Sequence, residues 1–260
     1  VENKHLHFNT SIGMQKPENI RNKAQACPFC EREKLTDIID VDGSIILLKN
    51  KYPVLENAYQ TVLIETDDCQ GEVSTYSREH LQRLFRFGIG HWLKMENSGA
   101  YRSVIFFKNH GPLSGGTLSH PHMQIIGLED LDYKEKVQPE MFQGLVIAQE
   151  SDVTLTLSTK PRVGFYEFNI AMADSHYMEQ FAEYIQIAVH YVLNHFPFKA
   201  GSYNIFFHHI NKRIYAKVVP RFVTTPLYIG YGLPQVPNNL ESMVSEMKRI
   251  YFDLKKSINI

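Results

Sequence analysis

Two apolar runs, Ser103-Val104-Ile105-Phe106-Phe107 and Ile125-Ile126-Gly127-Leu128, bracket a stretch that limits what this chain can fold into. Between them, residues 109–124 read Asn-His-Gly-Pro-Leu-Ser-Gly-Gly-Thr-Leu-Ser-His-Pro-His-Met-Gln. The pattern is strand, small-residue loop, strand. Side chains two apart on a strand share a face, so His120, His122 and Gln124 are expected to point the same way. Two imidazoles and an amide beside a Gly-Gly loop suit phosphate chemistry. One imidazole can attack phosphorus while backbone N–H groups and the amide hold the negative charge that develops. The competing readings are a metal site or a surface histidine cluster.

Composition narrows the partners. The formal net charge of -1 over 260 residues offers no general attraction for a nucleic-acid polymer or an anionic membrane, so anion binding has to be local. No run reaches the length of a membrane span and the start of the chain does not read as a signal peptide, so a cytoplasmic protein is expected. Three cysteines are too few for a disulfide framework. Two of them form Cys27-Pro28-Phe29-Cys30, which fits metal binding or thiol redox. The pair follows a polar, irregular stretch (residues 16–23) rather than a strand, and this favours a zinc knuckle. Cys69 stands alone and reads as a small apolar filler or a surface thiol.

Two passages share a plan. Ser77-Arg78-Glu79-His80 opens a helix with Leu81, Leu84, Phe85 and Trp92 at helical spacing, and the strand with Ile105-Phe106-Phe107 follows. Asp174-Ser175 opens a second helix with Phe181, Ile185, Ala188 and Val192 on one face, followed by Asn204-Ile205-Phe206-Phe207 and a strand through Tyr215-Ala216-Lys217. Strand candidates precede each helix: Ile45–Leu48 and Thr61–Ile64, then Val153–Leu157 and Val163–Tyr166. The expected class is α+β, a degenerate duplication with one helix packed on an antiparallel sheet in each half, 1–150 and 151–260. A last helix, roughly Leu240 to Leu254, fills core with Met243, Met247 and Tyr251.

The segment from Asn109 to Gln124 resembles the active-site signature of the galactose-1-phosphate uridylyltransferase branch of the histidine-triad superfamily. There too an Asn-x-Gly precedes His-Pro-His-x-Gln at this distance, with a small hydroxyl residue three before the first His. Asn109, Gly111, Gly115 and Thr117 occupy those positions here. The resemblance implies two histidine-triad-like halves and a nucleotidylyltransferase. His122 would be the nucleophile, its imidazole neutral at pH 7 given an unperturbed pKa of ~6.5. Gln124 stands where hydrolases of the superfamily carry a third histidine. An amide has no proton to give, so it favours group transfer over hydrolysis. Gly111, Ser114, Gly115, Gly116 and Thr117 would cradle phosphate, with Asn109 beside them. Asn50 and Lys51 fall where the family holds the nucleoside, though a strand-ending turn before Pro53 explains them equally well. Lys108 would offset phosphate charge or be solvated.

The same resemblance implies a structural zinc held by Cys27, Cys30, His80 and His120, a closed tetrahedral site that braces the catalytic strand. The remaining histidines, His91, His176 and His190 among them, read as surface or core residues. Three departures concern the regions that choose a substrate. Met123 replaces a glycine, the second half has Tyr215-Ala216-Lys217 in place of His-x-His, and no arginine-proline segment precedes the cysteines, with Arg21 and Lys23 the nearest cations and no role given to them. The expected substrates are a nucleotide sugar or other pyrophosphate-linked nucleotide, with a sugar phosphate or phosphate as acceptor; a homodimer is compatible with the sequence. The alternatives are a phosphorylase of dinucleoside polyphosphates or ADP-sugars, and a zinc-stabilised nucleotide-binding protein without turnover.

Overall fold

The computed structural model describes residues 5–22, 24 and 26–253, so Lys23 and Leu254 lie outside the described residues. The chain divides into two compact units, residues 1–136 and 137–260. The first contains a short helix α1 (Thr10–Gly13), strands β1 (Ile38–Asp42), β2 (Ile45–Lys49) and β3 (Ala58–Ile64), helix α2 (Arg78–Asn97), and strands β4 (Ser103–His110) and β5 (His122–Leu128). Its strands pair antiparallel in the order β1-β2-β3-β5-β4. The second contains β6 (Gly144–Glu150), β7 (Val153–Ser158), β8 (Phe168–Met172), helix α3 (Met178–Asn194), β9 (Tyr203–Ile210) and β10 (Arg213–Pro220), then helices α4 (Pro226–Tyr231) and α5 (Leu240–Tyr251). Its order is β6-β7-β8-β10-β9. The units therefore repeat one plan, a helix inserted between the third and fourth strands of a five-stranded antiparallel sheet.

The division falls earlier than the 150/151 boundary expected from sequence. Strand β6 pairs with β7, so the polar stretch after residue 137 belongs to the second unit. A second difference concerns Val163–Tyr166, expected as a strand. These residues turn instead, because the buried Glu167 carboxylate accepts the backbone N–H groups of Arg162 and Val163 at 2.9 and 3.0 Å. Phe165 sits in the left-handed region (φ 64°), and the strand starts at Phe168.

Helix α2 begins where Ser77 caps it, its hydroxyl accepting the His80 N–H at 3.2 Å. The helix buries Leu81, Leu84, Phe85, Gly88, Ile89 and Trp92 on one side, and the Trp92 indole N–H donates to the Val104 carbonyl at 3.0 Å. The helix lies close to the sheet at Gly88, where a Cβ would stand 2.9 Å from Phe106 Cζ and 3.0 Å from Leu63 Cδ2. Leu63 pairs with Met123, and Phe106 with Ile125, so these residues form the helix-facing side of the sheet. The other face carries Val62, Gln124 and Phe107 in register, with His122 opposite Ile64. Phe29 and Leu35, ahead of β1, pack over that face against Ile46, Leu48, Val62 and Ile64.

In the second unit the corresponding face is filled. Phe142 stacks on Tyr215 at 4.3 Å and meets the His208 ring edge-on at 5.2 Å. Buried Lys217 donates to the Met141 carbonyl, Glu167 and Asn169 at 2.7, 2.8 and 2.7 Å. Among the described residues no helix is long and apolar enough to cross a membrane.

Gly88 gives a direct test of the helix–sheet packing. Gly88→Val forces side-chain atoms into the Phe106–Leu63 contact, and overpacking of this kind costs about 1–3 kcal/mol. A lowered urea midpoint with an unchanged slope is the expected result; a variant as stable as the parent would mean that α2 does not approach so closely.

Candidate active site

His122 opens β5 and is almost completely buried, with its side chain on the face away from α2. Its Nδ1 lies 2.7 Å from the carbonyl oxygen of His120. A carbonyl only accepts, so Nδ1 carries the proton and the lone pair is on Nε2. Burial, reinforced by the positive charge of Lys108, lowers the imidazole pKa to about 4, against a hydrogen bond to His120 that raises it. The ring is therefore neutral at pH 7 with a defined tautomer, as a nitrogen nucleophile requires. Phe29 packs edge-on to it with 5.6 Å between centroids. Gln124 stands two residues on, on the same face and part-exposed, opposite Val62 and Phe107.

The two side chains line a cavity of about 310 Å³. Its walls combine apolar and cationic groups. Phe29, Leu35, Leu48 and Val62 supply the apolar part, while Lys16, Lys34, Lys49 and Lys51 supply charge; Glu31 also lines it. Glu31 is paired with Lys34 at 3.0 Å. Asn50 and Tyr52 lie on the wall. The Asn50 Oδ1 accepts the Tyr52 N–H at 2.9 Å, which leaves its NH₂ group for other partners.

The loop after β4 divides into lining and supporting residues. Asn109, Gly115, Gly116 and Thr117 line the cavity. Gly111 and Ser114 do not; they shape the loop. The buried Ser114 hydroxyl donates to the Gly111 carbonyl at 2.7 Å and accepts the Gly116 N–H at 3.3 Å. Gly111 and Gly115 have φ of 80° and 90°, a conformation that glycine adopts without strain. Asn19 fastens this loop. It is buried, its Oδ1 accepts the Ser119 N–H at 2.8 Å, and its own N–H donates to Thr117 at 3.0 Å. The neighbouring Lys16-Pro17 is thereby held at the cavity wall. Arg21 donates to the Pro112 carbonyl at 3.3 Å and so belongs to the loop's support.

Two residues stand elsewhere than sequence reasoning put them. Lys108 neither faces phosphate nor meets solvent. It forms an ion pair with Glu65 in which both side chains are fully buried. Met123, which replaces a glycine in a region expected to choose the substrate, points into the helix-facing core and is fully buried.

Behind the start of β5 a second group of side chains converges. The ligand atoms of Cys27, Cys30, Cys69 and His120 all lie within 4.8 Å of one another, close enough to hold a metal ion. His120 Nδ1 lies 3.5 Å from Cys27 Sγ and 3.6 Å from Cys30 Sγ. Its Nε2 lies 2.9 Å from the Thr66 carbonyl. That contact places the proton on Nε2 and turns a lone pair toward the sulfurs, the arrangement of a metal-binding imidazole. Burial and the neighbouring Cys30 and Cys27 push the Cys69 thiol up to about 12. Three thiols so close cannot all ionise without a cation between them.

The expected ligand His80 is not in this group. It lies on α2 with its ring edge-on to Tyr76 at 4.9 Å, and its Nε2 is buried without a hydrogen-bond partner. Cys69, read from sequence as a solitary thiol, occupies the fourth place. The turn through Asp68, Gln70 and Gly71 brings it there, with the Gly71 N–H donating to Asp68 at 3.1 Å.

The family described as domain of unknown function DUF4931 matches through its N-terminal domain over residues 8–131 and its C-terminal domain over 134–252. A crystal structure of a DUF4931 family protein from Bacillus cereus ATCC 10987 is 46% identical, with a TM-score of 0.76 over 82% of this chain and 98% of that one. The chain belongs to the DUF4931 family. More distant likenesses concern the fold. A uridylyltransferase structure shares 15% identity at a TM-score of 0.70, covering 90% of this chain and 93% of that one. An ADP-glucose phosphorylase from Arabidopsis thaliana with bound ADP-glucose shares 15% at 0.71, covering 95% and 99%. The histidine-triad-like fold implied by the sequence resemblance is thus the fold of this DUF4931 protein. A search of curated proteins finds no match.

Metal content separates the two versions of the cluster. Cys69→Ser is expected to lower the metal retained on purification well below one ion per chain, and His80→Ala to leave it unchanged, by elemental analysis. The reverse pattern would return His80 to the site and remove Cys69.

Proposed function

We propose that this DUF4931 protein is a nucleotidylyltransferase that moves a nucleoside monophosphate between phosphate-bearing partners through His122. The observation that carries the reading is the neutral, tautomer-fixed His122 imidazole in the wall of a lysine-lined cavity. His122 Nε2 attacks the α-phosphorus of a nucleotide sugar or related pyrophosphate-linked nucleotide. The bond from that phosphorus to the bridging oxygen breaks, and the sugar phosphate leaves with the electron pair. The ring becomes a phosphoramidate and carries positive charge, which the Nδ1–H bond to the His120 carbonyl stabilises. A phosphate oxygen of the acceptor, a sugar phosphate or inorganic phosphate, then attacks the same phosphorus and expels neutral His122.

Gln124 donates a hydrogen bond to a non-bridging phosphoryl oxygen and has no proton to give a leaving group, which favours transfer. Asn109 and the Gly115–Thr117 segment bound the phosphate region, and Lys16 supplies charge close to His122. The apolar patch of Phe29, Leu48 and Val62 suits a nucleobase, with the Asn50 amide at its edge. The fold shared with a uridylyltransferase and an ADP-glucose phosphorylase supports this class of reaction.

Three thiolates and one imidazole form a donor set that suits zinc, held tetrahedrally with no open position. Bound there, zinc would stabilise the fold around His120 and offer no site to substrate. His120, so anchored, presents its carbonyl to His122.

Incubation with UDP- or ADP-sugars should add one nucleoside monophosphate per chain by mass spectrometry, in an adduct that is acid-labile and alkali-stable. His122→Ala should abolish it without unfolding the protein. Equal turnover in parent and variant would remove the mechanism. Gln124→Ala should slow transfer by about 10²–10³, the usual cost of one transition-state donor, with little change in nucleotide affinity. Should Gln124→Ala transfer as fast as the parent, the amide is only a polar strand residue.

A further inference from the structure

Behind His122, on the face of the sheet turned toward α2, lies a charged pair that the proposed chemistry does not use. Glu65 follows the last residue of β3, and Lys108 lies near the end of β4. Their side chains meet as an ion pair with no exposure on either partner. Strand β5 runs between β3 and β4, so the pair passes across its rear. The height of the crossing is fixed by the register. The Glu65 N–H donates to the Pro121 carbonyl at 3.1 Å, and Lys108 is the partner of Met123. The pair therefore spans β5 between the residues on either side of His122. Tyr76 adds a third member, its hydroxyl donating to Glu65 at 3.1 Å.

Burying two charges is expensive, and an apolar pair of similar volume often serves stability as well or better. A fully buried pair at this height is thus poorly explained by stability. What it provides is direction, because a charge-assisted hydrogen bond fixes the separation of its donor and acceptor more tightly than apolar packing does. Tension between β3 and β4 at this level sets how far β5 can move along the sheet normal, and His122 is the side chain that such movement displaces.

We propose that Glu65 and Lys108, with Tyr76, form a positioning clasp that fixes the depth of His122 in the cavity. Neither residue touches substrate; both act through β5. The inference rests on the reading of His122 as the nucleophile, and a displacement of about 1 Å at a reacting group can cost ~10²-fold in rate.

The test compares the parent with Glu65→Met/Lys108→Met, which removes both charges and keeps the space filled. The expected outcome is an unchanged melting temperature and nucleotide affinity, a rate of nucleotidyl-adduct formation about 10- to 100-fold lower, and faster deuterium exchange of the backbone amides of His120, His122, Met123 and Gln124. Tyr76→Phe, the milder change, should shift rate and exchange in the same direction by less, and it decides the matter if the double variant fails to fold. A double variant with parental rate and parental exchange would overturn the clasp. If the parent forms no adduct with any nucleotide sugar, the function assigned to His122 fails. The exchange data alone then decide: loosening confined to 120–124 upholds the clasp, and its absence removes it.

Discussion

The hydrogen bond from His122 Nδ1 to the His120 carbonyl is the interaction on which the site depends. Without it the imidazole could present either nitrogen to the cavity, and only one arrangement leaves the Nε2 lone pair facing into it. The acceptor is itself held. His120 is fixed through Nε2 to Thr66, and its Nδ1 faces Cys27 and Cys30. The Pro121 carbonyl accepts from Glu65. A run of three residues is thus tied at every position: His120 by the thiol cluster and the Thr66 carbonyl, Pro121 by the Glu65 backbone N–H, and His122 by pairing with Ile64 of β3. Burial then keeps the ring neutral, since charging it would place a cation in a low-dielectric site near Lys108.

The repeated plan shows what distinguishes a site from a scaffold. In each unit a segment ahead of the first strand lays a phenylalanine over the sheet face opposite the helix, Phe29 in the first and Phe142 in the second. Phe29 stands off far enough to leave a cavity beside His122. Phe142 stacks directly on Tyr215, and Lys217 satisfies all three of its donors within the protein. One fold therefore yields an open face and a closed one through a few side chains.

Much of this was legible in the sequence because it was written in local pattern. The apolar periodicity of Leu81, Leu84, Phe85 and Trp92 gave the helix and its buried side, and Ser77 gave its start. The alternation of His122 and Gln124 gave their common face. What was missed depends on distances that spacing does not encode. Cys69 carries no motif; only the turn through Asp68 and Gly71 shows that it meets Cys27 and Cys30. His80 fitted the family's ligand spacing, yet its helix keeps it against Tyr76. Lys108 lies beside Asn109, but strand alternation sends it to the opposite face, where Val104, Phe106 and Lys108 are all buried. The turn over residues 162–165 has a signal in Pro161 and Gly164, but no local pattern marks Glu167 as the carboxylate that accepts its N–H groups.

Charge at the cavity raises the question of how such a site would tell substrates apart. His122 and Gln124 are neutral, so the field that meets a polyphosphate comes from Lys16, Lys34, Lys49 and Lys51, with Glu31 partly offsetting Lys34. At physiological salt charges are screened over about 8 Å, and the net charge of the whole chain matters little beside these residues. No arginine-proline segment precedes the cysteines, and Lys16-Pro17 is the pair at the wall. An arginine reads a phosphate through a planar fork in two fixed directions, whereas a lysine acts as a point charge on a flexible stem. Lysine therefore supplies attraction without dictating the orientation of the phosphate. Half-buried Lys16, with burial lowering its pKa, is the more constrained of these cations because Asn19 and Thr117 hold its segment in place. Orientation must then come from the rigid parts: the tautomer of His122, the amide of Gln124 and the glycine-shaped loop. On the proposed function, selectivity for the base and the acceptor falls to the apolar wall and its rim, where Leu48 and Val62 stand on the sheet that carries His122, Phe29 packs against it and Asn50 follows the end of β2.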